Sequence, residues 1–305
     1  MSELLIVGSV AYDGIATPFG SVKRALGGAA TYSAIASSLF APTAIVGVVG
    51  KDFLASDIAL LKSKGVDLTG LEVADGKTFF WKGVYGENMN SRTTLQTDLN
   101  VFATFNPKIP QSQRDIPFLF LANIHPALQL SVYNQMKKPK FTALDTMNLW
   151  IDTANKDLMK ILRKVDLIVL NDEEIRLLTG EYHITKGAKA LAKMGPRYVI
   201  VKTGEHGAML FGPSGMLVTP AYALESVKDP TGAGDTFAGA FMGYLTKRGK
   251  VTDEVLKEAV VVGHLVASFT VQDFGVKRLA SLKRSEVAKR AKEYNRFAKI
   301  PVVKV

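Results

Sequence analysis

Six short apolar runs recur along the chain, at Leu4–Val7, Ala44–Val49, Phe118–Ala122, Phe141–Leu144, Leu167–Leu170 and Tyr198–Lys202. Each is too short for a buried helix and reads as a strand covered on both faces. Between and after them lie stretches with helical spacing: Ala29–Leu39, Leu54–Lys64, Leu128–Lys137, Asp152–Leu162, Asp172–Leu178, Lys186–Lys193, Thr236–Lys247, Asp253–Phe269 and Ser285–Phe297. Strands alternating with helices predict an α/β fold, a mostly parallel sheet with helices on both faces. No Gly/Ser/Pro linker divides the 305 residues, so a single domain over 1–305 is expected.

Two stretches break the alternation. Residues 12–25 and 76–106 carry β-type sequence where a helix is due, and Phe79, Trp81 and Tyr85 alternate onto one face. From the residues alone this is either a hairpin packing aromatics on the core or a small sheet that projects from it.

Residues 229–240, Asp-Pro-Thr-Gly-Ala-Gly-Asp-Thr-Phe-Ala-Gly-Ala, carry the chemistry. Gly232, Ala233 and Gly234 leave their N–H groups unobstructed at the positive end of a helix that follows, which makes an anion cradle. Asp235 beside that cradle looks out of place, because like charges repel. The conflict disappears if Asp235 removes a proton from a hydroxyl that attacks a phosphoryl group held by the N–H groups. The plainer alternative is a glycine-rich turn with an acid in the first helical turn.

Around these residues the chain resembles the ribokinase family, the phosphofructokinase-B group of sugar and nucleoside kinases, whose signature reads D-T-x-G-A-G-D-x-F with Pro230 here as a small departure. The resemblance implies a ribokinase-like three-layer α/β/α domain with a small β-sheet lid from the two irregular stretches, and a homodimer through that lid. It implies transfer of the γ-phosphoryl of ATP to a sugar or nucleoside, with Asp235 as base and Gly232, Ala233 and Gly234 as anion hole. Asp229 and Thr231 would hold a monovalent cation such as potassium. Leu26-Gly27-Gly28-Ala29-Ala30 resembles the family's G-G-x-x-x-N-x-A run, in which the glycines and Asn meet the acceptor; Tyr32 stands at the Asn position. Asp13 matches the acid that binds substrate hydroxyls; its alternative is an Asx turn with Gly14.

Asn171 suits an N-cap, and Asp172 and Glu173 suit the first turn beside the helix dipole. Asn171 and Glu174, three apart, can point into the same space, and in the family such an N-x-x-E pair orders Mg²⁺ and its waters, as a cation that keeps its hydration allows. Thr203, Gly204 and Gly207 match a turn that contacts nucleotide, and His264 aligns with an Asn near the base, a satisfied core histidine being the alternative. Asp145 to Trp150 resembles a D-x-N-x-R run without its Arg; Arg92, in the lid, is the candidate substitute.

Other features narrow the class. Walker A, G-x-G-x-x-G, H-E-x-x-H and G-x-S-x-G motifs are absent from the sequence. No run of 18 apolar residues is present, so no membrane partner is expected, and zero cysteines fit a cytoplasmic protein. Much of the net charge of +10 lies in 282–305, where eight basic residues face Glu286 and Glu293. Without aromatic interleaving this reads as a solvated helix face, with no nucleic-acid partner. A fold that kept this site but lost turnover is the alternative function, a non-catalytic binding module.

Overall fold

Leu4–Val7 is buried along its whole length, with Leu4 and Ile6 in one hydrophobic cluster and Leu5 and Val7 in a second. This is the pleat of a strand that meets apolar cover on both faces. The computed structural model describes residues 2–89 and 91–298. Its strands are β1 (Leu4–Val7), β2 (Ala11–Thr17), β3 (Gly20–Gly27), β4 (Thr43–Gly50), β5 (Asp67–Ala74), β6 (Phe79–Tyr85), β7 (Arg92–Asp98), β8 (Phe118–Leu121), β9 (Phe141–Asp145), β10 (Leu167–Asn171), β11 (Tyr198–Lys202), β12 (Ala208–Gly212) and β13 (Gly215–Thr219).

Nine of them form one sheet in the order β13-β12-β11-β10-β9-β8-β1-β4-β5, parallel from β5 to β11 and antiparallel at β12 and β13. One face packs on helices Ala29–Ser38, Ala233–Arg248 and Asp253–Thr270. The other packs on Pro126–Gln135, Asn155–Leu162, Asp172–Thr179 and Ile184–Ala192. Strand order reverses at β1, with β4 on one side and β8 on the other. Ligand crevices open at the carboxyl ends of strands at such a reversal.

The remaining four strands make the lid sheet, order β3-β2-β6-β7, two antiparallel hairpins joined by a parallel β2–β6 pairing. The expected lid stretch ends sooner than 106: Asn100–Thr104 is a short 3₁₀ turn, and Phe102 stacks between Phe79 and Phe105. Aromatic content made that turn look like strand. The helix expected over 152–162 is two, Asn148–Thr153 and Asn155–Leu162, broken at Ala154 (φ −130°, ψ 27°). Strand β5 escaped the sequence reading because its half-exposed sequence, Asp-Leu-Thr-Gly-Leu-Glu-Val-Ala, has no sustained apolar run. The basic helix runs Arg284–Phe297, while Lys299 and Lys304, counted in its charge, lie outside the described residues.

One contact matters most for the site. A Cβ on Gly239 would lie 2.3 Å from Ser33 O, and one on Gly243 2.6 Å from Ser37 Cα. The helices Ala29–Ser38 and Ala233–Arg248 therefore pack backbone against backbone. The Ser33 hydroxyl donates to Asp235 O across this seam (2.9 Å). Both helices begin at a glycine, Gly28 and Gly232, so their N-termini are held side by side.

Candidate active site

The helix that carries Asp235 starts at Ala233, three residues before the expected Thr236, with Gly232 as its cap in the left-handed region (φ 73°). A Cβ there would stand 2.5 Å from three carbons of the Tyr32 ring. Only glycine meets both demands. The Thr236 N–H closes the first turn on Gly232 O (2.8 Å). The Ala233 N–H turns back to Pro230 O (3.2 Å), so Ala233 leaves the expected cradle. The first-turn N–H groups of Gly234 and Asp235 have no intrahelical acceptor and point along the helix axis. Of the three N–H groups expected in the cradle, that of Ala233 is engaged within the turn, and the Asp235 N–H joins that of Gly234 among the open first-turn donors.

Asp235 sits at the third helical position, half-buried. Loss of solvent pushes its pKa up to about 6; the Asp145 carboxylate adds to this, while Lys202 and Arg92 oppose it. A base must be ionised to accept a proton, so activity is lost as pH falls through that value. We expect kcat/KM to drop about tenfold per pH unit below 6 and to level off above it. A pH–rate profile that stays flat from 7 down to 5 would exclude Asp235 as the base.

Asp13 lies inside β2 rather than in an Asx turn, and is 5% exposed. A Cβ on Gly27 would stand 1.9 Å from its Oδ2, and it accepts a backbone hydrogen bond from Gly28. The double glycine therefore makes room for this carboxyl. Burial, then Asp229 and Asp235, push the Asp13 pKa up to about 8, so near neutrality it carries a proton and can donate as well as accept. Tyr32 is 1% exposed; its ring packs on Gly232, and its hydroxyl has no partner within the protein. The ring is therefore a floor beneath the cradle and presents no face for stacking. Asp229, fully buried, accepts the N–H groups of Thr231 (2.9 Å) and Gly275 (3.0 Å). The Thr231 hydroxyl donates to that of Tyr85 (3.2 Å). The two residues expected to hold a monovalent cation are thus bonded within the turn and to the lid.

Gly204, His206, Val227 and Ala267 are among the walls of a cleft of about 1250 Å³, with Phe19 and Met89 reaching in from the lid side. Thr203 and Gly207 do not line it. The Thr203 hydroxyl donates to Gly207 O (3.0 Å), and Gly207 packs against the backbone of Thr219. They shape the turn that presents Gly204. His264 borders the cleft but is 7% exposed and bonded to Thr219 Oγ1 (3.0 Å), with burial lowering its pKa to about 4. It is a neutral, satisfied histidine.

Asn171 and Glu174 form a complete capping box: Glu174 N–H donates to Asn171 Oδ1 (2.8 Å) and Asn171 N–H to Glu174 Oε2 (2.7 Å). Burial pushes the Glu174 pKa up to about 7. The box leaves Glu174 Oε1 for a water or cation. Among the described residues no cluster of three or more His, Cys, Asp or Glu could cage a metal. The donor set fits a divalent ion held through water and phosphate oxygens, which is how magnesium is commonly bound.

Lys202 was passed over in the sequence, and Asp145 was read only as the start of the D-x-N-x-R-like run. Lys202 and Asp145 meet at 3.6 Å, near Asp235 and Glu174. What marks them as a pair is position: each ends a strand of the parallel sheet, where ligands bind. Arg92, the first residue of β7, is exposed, lies over the Trp81 ring and lowers the pKa of both Asp235 and Glu174.

Known proteins share sequence and fold with this chain. The cytidine kinase of Thermococcus kodakarensis is 28% identical over 264 residues, covering 84% of this chain and 93% of that protein. The deoxyribokinase of Salmonella typhi is 27% identical over 83% of each. Among solved structures, the Burkholderia thailandensis nucleoside kinase in complex with inosine aligns with a TM-score of 0.77 at 20% identity, covering 97% of this chain and all of that one. The Vibrio cholerae fructokinase bound to fructose, ADP and calcium aligns at 0.78 and 21% identity, covering 95% and 98%. Those structural likenesses show the ribokinase fold. The profile of the pfkB carbohydrate kinases matches residues 1–282, from the first strand through the glycine turn at Asp235, and the chain belongs to that family of kinases.

Proposed function

We propose that this kinase moves the γ-phosphoryl of ATP to a CH₂OH group of a sugar or nucleoside, and that the acceptor is a nucleoside. The observation that carries the transfer chemistry is Asp235 at a helix N-terminus whose first-turn N–H groups are open to an anion. In the step, the acceptor oxygen bonds to Pγ as the bond from Pγ to the bridging oxygen breaks. The bonding pair leaves on the β-phosphate, giving ADP, and the hydroxyl proton passes to Asp235. Asp13 orients the acceptor. The Gly234 and Asp235 N–H groups hold charge that develops on the phosphoryl oxygens. A magnesium ion near Glu174 would neutralise phosphate charge.

The lid supports a dry site. Tyr85 reaches Thr231 in the catalytic turn and packs with Ile15 and Phe274. Water competes as an acceptor, so its exclusion protects ATP. Similarity to the T. kodakarensis cytidine kinase over most of the chain supports the nucleoside reading.

A panel of pentoses, hexoses and nucleosides, assayed for acceptor-dependent ADP release with magnesium, tests this. Release with a nucleoside is expected. Release only with a free sugar would overturn the acceptor; ATP binding with no release on any of the panel would favour a binding module.

A further inference from the structure

Lys202 crosses the end of β10 to reach Asp145 on β9, since it pairs in register with Asn171 on the intervening strand. Only 19% of its side chain is exposed. The 3.6 Å to Asp145 Oδ2 is longer than a charge-assisted hydrogen bond, so the carboxylate keeps the ammonium near without engaging it fully. Its other close neighbour is not a charge. Nζ stands 3.0 Å from where a Cβ on Gly234 would be, against the open first turn that forms the cradle. A pair that merely ties β9 to β11 would not require this contact.

We propose that Lys202 is a catalytic residue whose ammonium bonds the γ-phosphoryl oxygens during transfer, with Asp145 positioning it at the Gly234 turn. The role rests on the phosphoryl-transfer reading above. A triphosphate entering this crevice meets the carboxylates Asp145, Glu174 and Asp235, all of which act on Lys202. Lys202 and, from the lid, Arg92 are the cations that act on Asp235 and Glu174. Lys202 belongs to the main sheet, so its placement does not depend on the lid sheet. The phosphoryl group spreads charge over three oxygens in the transition state, and a fixed ammonium there needs no reorganisation. Lys202 keeps its proton throughout, because the hydroxyl proton goes to Asp235 and the bonding pair to ADP. Its carboxylate neighbours raise its pKa, consistent with a permanent charge.

The test uses the full chain with ATP and an acceptor that the wild type phosphorylates. Lys202→Met should lower kcat by about 10²–10³-fold, the scale of one lost transition-state donor. ADP lacks the γ-phosphoryl, so its dissociation constant should stay near that of the wild type. Lys202→Arg should recover part of the rate. Because Lys202→Met leaves Asp145 buried without a cation, Lys202→Met/Asp145→Asn supplies a variant free of that penalty, and its kcat should stay low. Wild-type kcat in either folded Met variant would overturn the role. So would restoration of kcat in the double variant, or an ADP affinity that falls as far as kcat/KM. A wild type that phosphorylates no acceptor overturns the transfer reading itself and takes this role with it.

Discussion

Asp235→Asn should lower kcat by about 10²–10⁴-fold while the protein stays folded, the range set by removing a general base. Asparagine keeps the shape of the side chain but cannot take the acceptor's proton. It also removes one charge from a crowded group of acids, since Asp235 raises the pKa of Asp13 and Asp145 raises that of Asp235. Stability at pH 7 should therefore hold or rise slightly, and thermal melting with ADP binding gives the check on folding. Loss of turnover with an unchanged melting temperature identifies a chemical role. Near-normal turnover in a folded Asp235→Asn protein would remove the central element of the mechanism.

Gly232→Ala should be the most damaging small substitution in the turn. An L-residue at φ 73° costs about 1–2 kcal/mol relative to glycine. The new methyl would also stand 2.5 Å from three Tyr32 ring carbons, well inside the roughly 3.5–4.0 Å at which carbon atoms rest in contact. Tyr32 is 1% exposed and has no room to retreat. A combined loss of about 2–4 kcal/mol follows if overpacking adds about 1–3 kcal/mol, partly relieved by shifts. The turn would move, and misplacing reacting groups by about 1 Å costs on the order of 100-fold in rate. Thermal denaturation and kcat measure the two effects separately. Gly232→Ala/Tyr32→Ala removes the clash but keeps the backbone strain, so it should not restore the wild-type rate. A single variant equal to wild type in both measurements would show that the turn is more tolerant than its geometry implies.

Much of the fold was legible because its signals are local. Four consecutive apolar residues at Leu4–Val7, too few for a buried helix, have only one economical use, and β1 is found there without a shift. Asn171 was likewise legible as an N-cap, a bond that spans three residues, whereas the reciprocal Glu174 bond that completes the box emerged only in the structure. Elements without that local contrast were lost, as with half-exposed β5 and the break at Ala154. Site roles followed the same division. Gly204 could be placed from its turn, but Thr203, Gly207 and His264 could not, because their bonds to Gly207 O and Thr219 decide whether they face the cleft or the core.

The sequence by itself determined the alternation of strand and helix, the glycine turn and the acid that follows it. These depend on periodicity and on hydrogen bonds that span a few residues. Only the tertiary structure decided that Tyr32 lies beneath Gly232, that Asp13 carries a raised pKa, and that Lys202 stands between Asp145 and Gly234. Those residues are distant in the chain and meet because strand order and the glycine seam between two helices bring their ends together. Electrostatic coupling falls off over a few ångströms in a buried site. Which charges act on Asp235 is therefore a property of the packed sheet ends, and no window of sequence contains it.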